Sequence, residues 1–164
     1  MTPTIRPFCL QDADRIATLW HASWRSTGVQ ASTQSTAADL RQRIDQELSA
    51  GWEVFVAEDE GAILGFMALK PADHCLDQLF IAPNAKRRGI GKNLFSHAKT
   101  AMPRGFWLRA AADNKEARAF YEAVGMRLDR IEPHPRHGHD TAVYVIDNHI
   151  ELGAAARQGW APSG

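Results

Sequence analysis

The sequence predicts one mixed α/β domain built on a mainly antiparallel sheet with flanking helices. Three observations predict it. Residues 52–82 hold three successive strand-like runs joined by short connections, the pattern of a meander. Residues 75–110 then read strand, helix, strand, which places part of the sheet in parallel. Three other stretches also repeat apolar residues at helical spacing. The length agrees, since 164 residues make one domain by default and can bury a full core without staples.

Taken in order, Ile5 to Phe8 reads as a short strand. Residues 12–25 form a helix through Ile16, Leu19, Trp20, Ser23 and Trp24. The polar stretch from Ser26 to Ser35 is a loop. Thr36 and Asp39 have capping-box spacing, and Leu40, Ile44 and Leu48 continue a second helix as far as Gly51. Trp52 to Ala57, Ala62 to Leu69 and Cys75 to Ala82 are the meander, with a turn at Glu58–Gly61 and stops at Pro71 and Pro83. Gly89 to Met102 is a third helix, with Ile90, Leu94, Ala98 and Met102 on one face, ended by Pro103 and Gly105. Phe106 to Ala110 is a strand. Asp113 and Glu116 suggest a capped fourth helix carrying Ala117, Phe120, Tyr121 and Val124, closed by Gly125. Arg127 to Ile131 and Thr141 to Ile146 are the last strands, around a Pro/His/Gly-rich loop. Residues 1–152 are read as the domain and 153–164 as a flexible tail.

Lys plus Arg and Asp plus Glu both number 19, so the formal charge is zero. That balance argues against a chain built mainly to bind nucleic acid. No uncharged apolar run approaches the ~20 residues of a membrane helix, and the first residues lack a signal-peptide core. Cys9 and Cys75 are far apart, which suits a reducing compartment and two inert buried thiols. A cytoplasmic protein without a membrane partner is expected. His134, His137 and His139 have no zinc-site spacing, so no metal is expected.

The stretch that carries chemistry is Leu79-Phe80-Ile81-Ala82-Pro83-Asn84-Ala85-Lys86-Arg87-Arg88-Gly89-Ile90-Gly91-Lys92. An apolar strand stops at a proline, a basic turn with two glycines follows, and a helix begins. Unpaired N–H groups at a helix start bind anions, and glycines let the backbone approach them. Lys86, Arg87, Arg88 and Lys92 add positive charge there. The stretch is neither a Walker loop nor a dinucleotide fingerprint. It resembles the acyl-CoA loop of the GNAT superfamily of N-acetyltransferases, [Gln/Arg]-x-x-Gly-x-[Gly/Ala], with Lys86 in the first position. Asn114, Ala117, Ala119, Phe120, Tyr121, Glu122 and Gly125 match that family's downstream helix, with Met126 where Phe is usual.

The resemblance implies a GNAT-type sheet whose central strand pair is splayed by a bulge, and direct transfer from acetyl-CoA to a primary amine in a ternary complex. It implies that Leu79, Phe80 and Ile81 offer backbone groups to the pantetheine arm, and that residues Arg87 to Lys92, with Gly89, Ile90 and Gly91 among them, meet the pyrophosphate. Asn114 would bind the pantetheine arm. Tyr121 would sit near the thioester sulfur as general acid, a phenol of reference pKa ~10 being able to protonate a thiolate. Arg109 stands where some relatives carry a basic glutamate. Asp77, Glu58 and His74 are the candidates for a base, with Asp77 preferred. Trp20 and Trp24 are candidates for acceptor contact. Core packing for Trp20, Trp24 and Tyr121, capping for Asn114 and a solvated or structural role for Asp77 are the competing readings. A non-catalytic CoA-binding or acyl-CoA-sensing module is the alternative function. Monomer and homodimer both remain open.

Overall fold

The computed structural model describes residues 3–26, 35–134 and 139–147. The expected tail, most of the loop after the first helix, and His137 lie outside them. Seven strands form one sheet: β1 (Thr4–Pro7), β2 (Glu53–Asp59), β3 (Ala62–Lys70), β4 (Cys75–Ile81), β5 (Gly105–Ala111), β6 (Arg127–Pro133) and β7 (Asp140–Asp147). Four helices flank it: α1 (Ala13–Ser26), α2 (Ala37–Ser49), α3 (Ile90–Ala101) and α4 (Lys115–Ala123). The strand order is β1-β2-β3-β4-β5-β7-β6, antiparallel except for β4 beside β5.

The local signals work as expected in most places. Thr36 Oγ1 accepts from the Asp39 N–H at 3.1 Å and Asp39 accepts from the Thr36 N–H at 2.9 Å, a complete capping box. The β2–β3 turn narrows to Glu60 and Gly61, both at positive φ, 49° and 82°, as a two-residue hairpin requires. The fourth helix departs from expectation. Its cap is Asn114, whose Oδ1 accepts from the Ala117 N–H at 3.1 Å, and not Asp113.

Two cores lie on opposite faces of the sheet. On one face α3 and α4 bury Ile90, Leu94, Phe95 and Tyr121 against Met67, Leu76, Phe106, Leu108 and Tyr144. On the other, α1 and α2 bury Ile16, Trp20, Leu40 and Ile44 against Trp52, Val54, Val56 and Phe66. Cys75 is buried, as read, but Cys9 is exposed; its backbone N–H and its thiol both donate to Asp12 Oδ2, at 2.9 and 3.3 Å. Asp12 itself is buried and salt-bridged by Arg6 at 2.8 Å, which fastens the start of α1 to β1.

Candidate active site

The site begins with a mismatch in strand pairing. From Gly65↔Ile81 to Ala68↔Gln78 the β3–β4 register is continuous, and it then shifts so that Leu69 faces Leu76. Asp77 is the extra residue, a β-bulge in β4. On its other side β4 meets β5 at a single register pair, Cys75↔Trp107, with the Trp107 N–H donating to the His74 carbonyl at 2.9 Å. Beyond that pair the two strands part, which is the splay the resemblance implied.

Antiparallel bonding alternates along a strand, so the edge each residue faces can be assigned. The Ala82 N–H donates to the Leu64 carbonyl at 2.8 Å. Phe80 and Gln78 therefore bond toward β3, and Leu79 and Ile81 face the open edge. Two contacts agree. The Ile81 carbonyl accepts from Ser23 Oγ on α1 at 2.9 Å, away from β3. The Phe80 carbonyl lies 3.0 Å from where a Cβ on Gly65 of β3 would sit. This corrects the reading of Phe80. Its backbone is committed to β3, and its ring packs 5.9 Å from Phe66 and 6.1 Å from Trp20.

The open edge leads into the basic turn. Arg87 and Gly89 have positive φ, 67° and 80°, which turns the chain into α3. The first bond into the helix runs from the Asn93 N–H to the Gly89 carbonyl at 3.1 Å. The N–H groups of Ile90, Gly91 and Lys92 consequently point out of the helix start. Ile90 contributes only its backbone there, since its side chain is in the core. At Gly91 a Cβ would lie 3.2 Å from the Phe120 ring, so glycine lets α3 close on α4. Lys86 pairs with Glu116 at 3.3 Å and Arg88 with Asp59 at 3.4 Å. Arg87 and Lys92 are exposed and, among the described residues, make no ion pair. Open amides and uncompensated cations at one place suit a pyrophosphate.

Tyr121 is 8% exposed, and its ring lies against Phe120 and Tyr144 at 5.3 and 6.1 Å. Burial pushes its phenol well above the usual tyrosine range, so it stays protonated. A buried tyrosine normally gives its hydroxyl a partner. Tyr144 does so, accepting from Arg118 Nε at 3.0 Å and donating to Glu122 at 3.2 Å. Among the described residues none bonds the Tyr121 hydroxyl. Asn114 spends its Oδ1 on the helix cap, and its amide N–H₂ makes no hydrogen bond among the described residues.

On the α1–α2 face, Asp77 Oδ2 accepts from Trp52 Nε1–H at 2.8 Å. Burial raises the Asp77 carboxyl above the ordinary carboxylate range, an effect that Lys70 and the indole N–H partly oppose. Glu58 is held by Arg6 at 2.6 Å on the β1–β2 side of the sheet, remote from the splay. His74 occupies a left-handed turn position, φ 51°, just before β4. Trp20 is 3% exposed, between Trp52 at 5.9 Å and Phe66 at 5.8 Å. It is a core residue that can shape a pocket only through its neighbours. Trp24 is half-buried at the margin of the same core. Arg109 on β5 bonds Glu132 of β6 at 3.0 Å, so the carboxylate near this point comes from another strand. Among the described residues no group of three His, Cys, Asp or Glu side chains is gathered to hold a metal. No helix is long and apolar enough to cross a membrane.

Sequence reasoning missed Gly65, Ser23, Glu47 and Lys70. The first two touch the backbone of β4 at its open end, while Lys70 of β3 reaches Asp77 and Glu47 of α2 reaches Lys70. No local spacing links any of them to the residues they serve.

Comparison with known proteins gives the family and the fold. Residues 14–126 match the acetyltransferase (GNAT) family. The chain is 30% identical over 138 residues to YhfO of Bacillus subtilis, an uncharacterized N-acetyltransferase, covering 76% of this chain and 90% of the relative. It is 29% identical to YjaB of Salmonella typhimurium, a peptidyl-lysine N-acetyltransferase, over 72% of this chain and 79% of that one. Among solved structures, the PaiA N-acetyltransferase of Thermoplasma acidophilum in complex with coenzyme A shares the fold, with TM-score 0.72, 20% identity, and 90% and 99% of the two chains covered.

Proposed function

The chain belongs to the acetyltransferase (GNAT) family, and on that premise we propose that it transfers an acetyl group from acetyl-CoA to a primary amine by direct attack. The observation that carries the reading is the open edge of β4 running straight into the open amides of α3. One edge suits an extended amide-bearing arm and the other end suits its pyrophosphate.

Leu79 and Ile81 would pair with the pantetheine amides, and Ile90, Gly91 and Lys92 would donate to the pyrophosphate, with Arg87 and Lys92 screening its charge. Asn114 would donate its remaining amide N–H to the arm. Asp77 would take a proton from the acceptor ammonium. The neutral nitrogen then forms the C–N bond to the acetyl carbon as the C–S bond breaks. Tyr121 would donate to the departing sulfur, with the second amine proton ending on the thiol. A phenol shifted upward is a weak acid, so Tyr121 acts more by hydrogen bonding to the developing charge than by complete transfer. A peptide lysine is the first acceptor to try, because the Salmonella relative is named for it.

The test is thiol release from acetyl-CoA with peptide lysine, polyamine and amino-acid acceptors. Tyr121→Phe should lower kcat about 10- to 100-fold with CoA affinity nearly unchanged. Tight CoA binding without transfer to any amine would favour a CoA-binding module instead. Unchanged turnover in Tyr121→Phe would remove the acid role.

A further inference from the structure

Behind the bulge, charged side chains from α2 and β3 converge on one carboxylate. Asp77 Oδ2 takes the Trp52 indole N–H and lies 4.0 Å from Lys70 Nζ. Lys70 Nζ is also 3.1 Å from Glu47 Oε2 on α2. The three ionic side chains are deeply placed, with Asp77 2%, Glu47 9% and Lys70 13% exposed. Among the described residues Asp77 Oδ1 makes no hydrogen bond, so one oxygen is anchored and the other is available. Asp77 is also the extra residue of the bulge, so the group grips β4 where its open edge begins.

We infer that Lys70 and Glu47 are positioning residues for acetyl transfer, the shared ammonium holding Asp77 in place and setting its readiness to take a proton. The inference rests on the reading of Asp77 as the base. A carboxylate buried alone would be neutral. The Lys70 ammonium partly opposes that, and Glu47 draws off part of that ammonium's influence. The result is a carboxyl whose proton affinity stays above the ordinary carboxylate range, which is the direction a base near working pH needs. The other groups facing it are Arg43 of α2, a second cation whose guanidinium lies 5.0 Å from the Trp20 ring, and the Cys75 thiol of β4, which burial keeps neutral. Asp73 and Arg109 act on Cys75 from beyond it with opposite signs.

Opposite signs make this testable. Removing the cation should raise the proton affinity of Asp77, and removing Glu47 should lower it. Coulombic coupling requires opposite signs, so a shared sign would mean that Asp77 responds to general disturbance of the fold and not to this pair. The experiment is a ¹³C-carboxyl NMR titration of Asp77 in the full chain without ligand. The midpoint should rise by about one pH unit in Lys70→Met and fall in Glu47→Gln. Lys70→Arg should keep the parent midpoint, and the double variant K70M/E47Q, which removes both members of the 3.1 Å pair, should keep the upward shift if Lys70→Met fails to fold. Midpoints that do not move, or that move together in the two single variants, overturn the inference. Turnover of Asp77→Asn separates it from the reading beneath it. Full turnover with opposed midpoints removes the base but leaves the coupling. Lost turnover with unopposed midpoints keeps the base and removes the role of Lys70 and Glu47.

Discussion

Two sides of β4 are built by different means. Along its open edge and into the start of α3, the candidate CoA path is made of backbone: two open-edge residues, three helix-start amides and glycines that allow close approach. Toward α1 and α2, the face is made of side chains: an aromatic cluster of Trp20, Trp52, Phe66 and Phe80, with a buried charged group beside it. Backbone sites depend on where glycines and prolines fall along a short stretch, so they leave a motif. Side-chain sites depend on what the fold brings together, so they leave none.

Several substitutions would break or sharpen that contrast. The largest effect is expected on the aromatic side. Trp20→Ala should lose about 3–5 kcal/mol of stability in denaturant unfolding, because the ring fills a core. A loss below ~1 kcal/mol would point to a pocket residue instead. Asp77→Asn should lower kcat about 100-fold or more, equivalent to about 2.7 kcal/mol, with CoA binding retained in calorimetry. The acid limb of the parent's kcat profile should lie above the ordinary carboxylate range, since burial raises Asp77 and only its ionised form accepts a proton. A limb near pH ~4 would contradict this.

On the backbone side, Gly65→Ala should cost about 1–3 kcal/mol. Its Cβ would meet Ile81 Cδ1 at 2.9 Å and the Phe80 carbonyl at 3.0 Å. It should also weaken CoA binding, because β4 must shift to make room. Unaltered affinity with lowered stability would separate the strand from the site.

The smallest effect lies outside both faces. Arg6 hydrogen bonds hold Asp12 well below the usual carboxylate range. A carboxyl lowered by folding stabilises above its unfolded pKa, and that contribution fades as pH falls from the ordinary carboxylate range toward the depressed folded one. Asp12→Asn should therefore cost about 1–2 kcal/mol at neutral pH, and the two stability curves should converge as the pH falls below about 3. Curves that stay parallel would refute the linkage.

The same contrast explains what was legible in advance. The meander, the single parallel step and all four helices follow from periodicity and punctuation, because each element's apolar pattern and its stop lie within a dozen or so residues. The Lys86–Lys92 turn was legible for the same reason. Phe80 was misassigned because strand sequence does not say which edge a backbone bond faces; the register with β3 does. Cys9 was expected to be buried, since a thiol is usually apolar filling, but Asp12 uses it as a donor at the start of α1. Glu47 and Lys70 could not be linked to Asp77 because they come from α2 and β3, and only the folded sheet brings them to one carboxylate.

Backbone amide hydrogen exchange, with and without saturating CoA, tests the central claim most directly. The account predicts slowed exchange at Leu79, Ile81, Ile90, Gly91 and Lys92, and no change at Gln78 or Phe80, whose N–H groups already bond β3. Protection at Phe80 with none at Leu79 and Ile81, or an unchanged α3 start, would contradict it.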